Sequence, residues 1–129
     1  MNPTEVLQKY MKYAVVGATQ RKKKFGYQIY KTLINYGKTT YPVNPRYKEI
    51  DGKVCYPSIG EVPERPEVVV AVIPPRATDT LIDECKENSI SILWLQPGTY
   101  DDDILAKCKE VGVEPVYGAC IMLKVQGSH

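Results

Sequence analysis

Four consecutive cations, Arg21, Lys22, Lys23 and Lys24, follow an apolar run that breaks at Gly17. Residues of that type at that spacing can hold an anion. Where a buried strand ends in glycine and a helix follows a short loop, the first helical N–H groups are unpaired and point into the loop. A phosphate can accept from them, and the cations supply mobile charge around it. A second basic group, Arg46 and Lys48, follows Asn44-Pro45. A single charge run is commonly just a solvated surface. Solvation does not account for two basic groups at two strand ends with no acid on either.

Other reactive types are sparse. Cys55, Cys85, Cys108 and Cys120 are scattered without C-x-x-C spacing, which disfavours a zinc ribbon or a redox motif. Cys85 and Cys108 fall on helical patterns, as small core residues do. Asp101, Asp102 and Asp103 could suggest a metal, but at a helix start they read as cap and dipole residues, so no metal site is expected. The one histidine, His129, belongs to the ending Gly127-Ser128-His129, which reads as an appended tail outside the chemistry.

The elements that must position these residues alternate between strand and helix, the pattern of an α/β domain with an open parallel sheet of about five strands and helices on both faces. A short helix is expected near Thr4 to Met11, then a strand from Tyr13 to Val16 and a helix from Phe25 to Tyr36 closed by Gly37. A second strand, Thr39 to Val43, is followed by a loop containing Asp51-Gly52 and a single turn from Ile59 to Val62 that Ser58 could cap. The third strand, Val68 to Ile73, is almost wholly apolar, as in a sheet covered on both sides. A helix over Ala77 to Glu87, a strand over Ser91 to Leu95, a helix over Asp101 to Val111, a strand near Glu114 to Tyr117 and a short terminal segment, Ile121 to Val125, follow. Four of these strands end in turn-forming sequences on one carboxyl edge, where such sheets bind ligands.

At 129 residues, the chain fits one domain, 1–129, with a core of its own. Its 43% hydrophobic and 25% charged residues are ordinary for a globular protein. A net charge of +2 is too small to point to nucleic acid. No apolar stretch approaches the roughly 20 residues of a membrane span, and the polar N-terminus is not a secretory signal, so a cytoplasmic protein is expected. A nicotinamide dinucleotide is the first candidate for such an edge, yet Gly17 is followed by Ala18-Thr19-Gln20-Arg21, without the Gly-x-Gly-x-x-Gly fingerprint. The second strand ends in Asn44-Pro45-Arg46-Tyr47-Lys48 rather than in an acid, which suits a phosphorylated ribose. NADP and coenzyme A both carry one. A P-loop is excluded, because no Gly-x-x-x-x-Gly-Lys-Ser/Thr occurs.

Val15-Val16-Gly17-Ala18-Thr19, Tyr41-Pro-Val-Asn-Pro-Arg-Tyr47, Cys55-Tyr-Pro-Ser58, Leu93-Trp-Leu-Gln-Pro-Gly98 and Cys120-Ile-Met122 appear in this order. Over about residues 10 to 124 the chain resembles the small single-domain CoA-binding proteins, which are similar to the CoA-binding domain of the succinyl-CoA synthetase α subunit. The resemblance implies a Rossmann-like fold and a coenzyme A site. Gly17, Ala18 and Thr19 match the turn at the pyrophosphate, with the Thr19 hydroxyl able to donate to it. Arg21 and Lys24 match the basic loop flanking the phosphates, here richer in cations than the Pro- and Asn-rich family version, and Phe25-Gly26 match the helix start. Asn44, Pro45, Arg46 and Lys48 match the end of the second strand, near the adenosine 3′-phosphate. Ile73, Pro74 and Pro75 match an apolar surface for adenine, with Arg76 opening the next helix, and Gln96, Pro97 and Gly98 match a turn near the pantetheine arm.

Larger relatives in that family make acyl-CoA with a phosphohistidine domain and a nucleotide-grasp subunit, for which this chain has no room. The expectation is non-catalytic binding of free CoA or an acyl-CoA, regulatory in one version, with any protein partner unidentified. Cys120 is the candidate for thiol exchange with CoA, set against the commoner reading of an inert buried thiol. A small NADP-dependent oxidoreductase and a ligand-switched interaction module are the alternatives.

Overall fold

The computed structural model describes residues 2–127; Ser128 and His129 of the expected tail lie outside the described residues. The chain runs through α1 (Pro3–Lys9), β1 (Lys12–Val16), α2 (Phe25–Asn35), β2 (Thr39–Val43), a hairpin of β3 (Glu49–Ile50) and β4 (Lys53–Val54), and a 3-10 turn (Ile59–Glu61). It continues through β5 (Val68–Ala71), α3 (Pro75–Glu87), β6 (Ile92–Leu95), α4 (Asp102–Val111), β7 (Glu114–Val116) and α5 (Ile121–Gly127). Five strands form a parallel sheet, as the sequence predicts, and their order is β2-β1-β5-β6-β7. The expected loop around Asp51-Gly52 is instead the two-stranded hairpin. Asp51 and Gly52 both have positive φ, 51° and 78°, the pair that a tight hairpin turn requires.

Alternation along each strand divides the core in two. Tyr13, Val15, Val68, Val70, Ile92 and Trp94 face α1, α2 and α5, where they meet Leu7, Ile29, Leu33 and Ile121. Ala14, Val69, Ala71, Leu93 and Leu95 face α3 and α4, where they meet Ile82, Cys85, Ile104 and Cys108. Strands buried on both faces are apolar throughout for this reason. Cys85 and Cys108 are buried, the small core residues their helical spacing suggests, and burial raises the thiol of Cys85, to about 12, and that of Cys108.

One buried cation was not foreseen. Lys38 is only 8% exposed, and its ammonium donates to the carbonyls of Leu7 and Tyr10 while lying 5.7 Å from the ring centres of Tyr13 and Tyr36. It closes the C-terminal end of α1 against the sheet, although burial lowers its pKa.

The register decides what the edge can do. Val16 pairs with Val43 on one side and Ala71 on the other, and Ala71 pairs with Leu95. Four strands therefore finish level, and their following turns share one rim. The chain leaves β1 for β2 in one direction and later returns to β5 on the other side of β1. That is the switch point at which such sheets open a crevice.

Candidate functional site

At the switch point the backbone comes unusually close. Gly17 continues the ladder, donating to Val43 O at 3.0 Å, while Val72 donates to Val16 O at 2.8 Å. Gly17 has φ +102°, and a Cβ there would stand 2.2 Å from the Val72 carbonyl oxygen. A Cβ on Gly26 would stand 2.0 Å from the carbonyl oxygen of Gly17. Two glycines thus let the first turn of α2 rest on the turn after β1, which a side chain at either position would prevent.

That contact sets the helix N-terminus beside a cleft of about 380 Å³ lined by Gly17, Thr19, Arg21, Lys24, Phe25, Gly26, Asn44, Arg46, Tyr47 and Val72. No side chain caps α2, and its first turn carries no acid. Among the described residues Arg21, Lys24 and Arg46 have no ion-pair partner, and no carboxylate lines the cleft. Three free cations and a bare helix N-terminus make this an anion site in electrostatic terms. The loops are held by their own polar groups. Asn44 Nδ2 donates to Ala18 O at 2.9 Å, Asn44 Oδ1 accepts from Arg46 N at 2.9 Å, and Thr19 Oγ1 lies 2.9 Å from Tyr47 Oη. Gln20 Nε2 donates to Glu49 O at 2.8 Å, which ties the cationic loop to the hairpin.

Two further cavities adjoin the cleft. On one side an apolar groove, also about 380 Å³, is lined by Val43, Pro45, Pro57, Ile59, Ile73 and Leu81 among others. It alternates with the cleft along the same chain segments: Asn44 and Arg46 face the cleft, Pro45 the groove, Val72 the cleft, Ile73 the groove. On the other side Phe25 and Val72 are shared with a smaller cavity of about 150 Å³ that Ile29, Gln96, Pro97, Thr99 and Cys120 complete. Pro97 and Cys120 then border a wider groove of about 770 Å³ between α1 and α5. The row of neighbouring cavities along the rim, from the apolar groove past the cations to Cys120, is termed the trough.

The thiol end is braced differently. Gln96, 4% exposed, donates from Nε2 to Cys120 Sγ at 3.3 Å and accepts at Oε1 from Ile121 N at 2.9 Å. Cys120 is half-buried, and its neighbour is a neutral amide rather than a base.

The structure gathers most of the residues named from sequence and leaves some aside. Gly17, Thr19, Arg21, Lys24, Phe25, Gly26, Asn44 and Arg46 line the cleft, Pro45 and Ile73 the apolar groove, and Gln96, Pro97 and Cys120 the small cavity. Ala18 is buried and contributes its carbonyl. Pro74 and Pro75 serve as N-cap and first residue of α3, Gly98 turns with φ +89°, and exposed Lys48 offers its carbonyl to Cys55 N at 2.9 Å; none of these four borders the trough. Asp101 caps α4 by accepting from Ile104 N at 2.9 Å, and no cluster of three metal-ligating side chains occurs among the described residues. No described helix is long and apolar enough to cross a membrane.

Sequence reasoning missed Val72 and Thr99. Val72 reads as strand interior but stands just past the end of β5, and only the level register could have placed it there. Tyr27 and Lys31 have the Tyr-x-x-x-Lys spacing that a reductase could use for proton donation. Both are bound to Asp51, at 2.7 and 3.1 Å, and neither lines the cleft.

An open parallel sheet covered by helices on both faces, with a cation-lined cleft at its switch point, defines a Rossmann-like domain. Within that class, residues 11–126 match the family model described as CoA binding domain, and the chain belongs to that family. It is 38% identical over 101 residues to the ADP-forming acetate–CoA ligase I of Archaeoglobus fulgidus, an alignment that covers 78% of this chain and 14% of the ligase. The chain thus spans less than one fifth of that enzyme. Along most of its length it also matches an uncharacterized Bacillus subtilis protein, YneT, at 25% identity over 91% of this chain and 87% of that one. Among solved structures, a hypothetical protein from Pyrococcus horikoshii OT3 superposes with a TM-score of 0.90 at 31% identity, covering 97% of this chain and 88% of that one.

Proposed function

We propose that the trough binds coenzyme A and that the chain performs no ligase chemistry of its own. The observation that carries this reading is the cleft with three unpaired cations and no acid, flanked on one side by an apolar groove and sharing Phe25 and Val72 on the other with a cavity that reaches a thiol. The diphosphate and 3′-phosphate lie among Arg21, Lys24, Arg46 and the α2 N-terminus, where the ligand's negative charge meets unpaired donors. The adenine enters the groove at Pro45 and Ile73, and the pantetheine passes Phe25 and Val72 toward Gln96 and Cys120. No described residue is a histidine, and the partner of Cys120 is an amide that cannot take its proton, so the site lacks the paired nucleophile and base of acyl transfer.

The finer reading of the thiol end is exchange: Cys120 thiolate attacks CoA disulfide, a Cys120–CoA disulfide forms, and one CoA thiolate leaves. CoA disulfide treatment should then add one CoA mass to the wild type and none to Cys120→Ser. Equal labelling of both would remove this step while leaving reversible binding intact.

A thermal-shift titration with CoA, dephospho-CoA, NADP and NAD tests the main reading, since a ligand that binds only the folded state raises the melting temperature. A shift with CoA that weakens for dephospho-CoA and is absent for NAD and NADP is expected. No shift with CoA, or a larger one with NADP, would overturn it.

A further inference from the structure

The apolar groove beside the cation cleft contains one charged side chain. Glu84, in the third turn of α3, lines it together with Ile73, Leu81 and Ile59. Its side chain is half-buried, and among the described residues nothing hydrogen-bonds to its carboxyl or pairs with it. Burial raises its pKa first, and the neighbouring Glu87 carboxylate raises it further; no cation offsets them. An acceptor held in an apolar groove without a donor is costly to the protein alone. A ligand that brings an N–H to it recovers that cost.

The groove's position says which part of a ligand arrives there. It shares the turns after β2 and β5 with the cation cleft, residue by alternate residue, so a group attached to a phosphate held at Arg46 enters over Pro45 and Ile73. Pro45, Ile73 and Val43 make its wall there apolar, which suits a ring, and Glu84 lines it from the same face of α3 as Ala77 and Leu81.

We infer that Glu84 is the residue that selects adenine over oxo-purines in this groove, its carboxylate accepting a hydrogen bond from the exocyclic amino group of the base. Adenine carries a donor at that position. Hypoxanthine and guanine carry a carbonyl oxygen there, and their nearest donor, N1–H, lies one ring atom away, so it reaches the carboxylate only if the base shifts from the position adenine takes. The assignment rests on the coenzyme A reading and adds to it the determinant of base identity. Glu84 acts on binding alone.

The test is isothermal titration of CoA and deamino-CoA, in which hypoxanthine replaces adenine, into the wild type, Glu84→Gln and Glu84→Leu. Loss of one charge-assisted hydrogen bond together with an acceptor facing an acceptor predicts that the wild type prefers CoA by about tenfold or more. Glutamine can turn either its oxygen or its amino group toward the base, so Glu84→Gln should bind the two ligands within about threefold of each other. Glu84→Leu should also lose the preference. Because the unpartnered carboxyl is a cost to the free protein, Glu84→Leu should melt no lower than the wild type without ligand and Glu84→Gln close to it, and unliganded melting curves check that all three are folded. Equal affinity of the wild type for both ligands, or a preference that survives in both variants, overturns the assignment while leaving the site in place. Absence of any CoA binding to the wild type would overturn the site and the assignment together.

Discussion

The two ends of the trough solve opposite problems. At the cation end the backbone is wedged by Gly17 and Gly26, but the charged heads of Arg21, Lys24 and Arg46 are left without protein partners. At the thiol end the polar groups use one another up: both side-chain functions of Gln96 are engaged by Cys120 and Ile121, and its main-chain oxygen accepts from Thr99 Oγ1 at 2.7 Å. Unspent donors favour a charged ligand group, because the free protein has desolvated nothing that the ligand must displace. A satisfied, neutral lining suits an uncharged group.

The comparison breaks first if the wedge is not rigid. Gly26→Ala would place its methyl 2.0 Å from the Gly17 carbonyl oxygen, and Gly17 cannot yield, because its own α-carbon is set against the Val72 carbonyl. Alanine gains about 1 kcal/mol over glycine as a helix former, but overpacking against backbone costs about 3 kcal/mol or more, so the variant should be clearly less stable. The urea midpoint measures this, and a midpoint equal to the wild type's would mean that the turn is soft.

Gln96→Leu tests the other end. Leucine keeps the bulk of the side chain but leaves the buried Ile121 N–H without its acceptor, a loss of about 2 kcal/mol. The melting temperature should fall while affinity for adenosine 3′,5′-bisphosphate, which reaches only the cation end and the groove, stays within about twofold. A parallel loss of nucleotide affinity would show that the two ends are one mechanical unit.

Most of the architecture could be read from the chain, since apolar runs of four or five residues separated by amphipathic helices leave few alternatives to a parallel sheet. The boundaries of β2 agree with the sequence reading, and Asp101 stands at the start of α4 where its chemistry placed it. The hairpin was read as a loop because β3 and β4 are two residues each, too short to show alternation. Its only signal was Asp51-Gly52. The candidate site was legible where backbone chemistry marks it, at Gly17, Asn44 and Arg46. It was illegible where position depends on register or on distant packing: Val72 looks like any strand valine, and nothing near Glu84 in sequence distinguishes it from the other acids of α3. Proline ran the other way, since Pro74 and Pro75 carry strong turn signals that the helix start absorbs.

The smallest expected effect sharpens the contrast between a charged brace and a neutral one. Asp51, at the hairpin turn, accepts from Tyr27 Oη at 2.7 Å and pairs with Lys31 Nζ at 3.1 Å, so the hairpin that holds Gln20 is fastened to α2 by an ionised carboxyl. The Tyr27 hydrogen bond first, and then that of Lys31, hold its pKa below the usual carboxylate value. A carboxyl depressed on folding contributes stability that is fully present above its unfolded pKa, about 3.9, and is lost as pH falls through the lower folded value. Asp51→Asn should therefore melt slightly below the wild type at neutral pH, with a gap that holds down to about pH 5 and closes in more acid solution. The Gln96 brace contains no carboxyl, so the gap between Gln96→Leu and the wild type should not change over the same range. Melting curves of the three proteins from neutral to acid pH decide the matter: a constant Asp51 gap would mean that the carboxyl acts by its shape rather than its charge, and a closing Gln96 gap would mean that the two braces are coupled through α2.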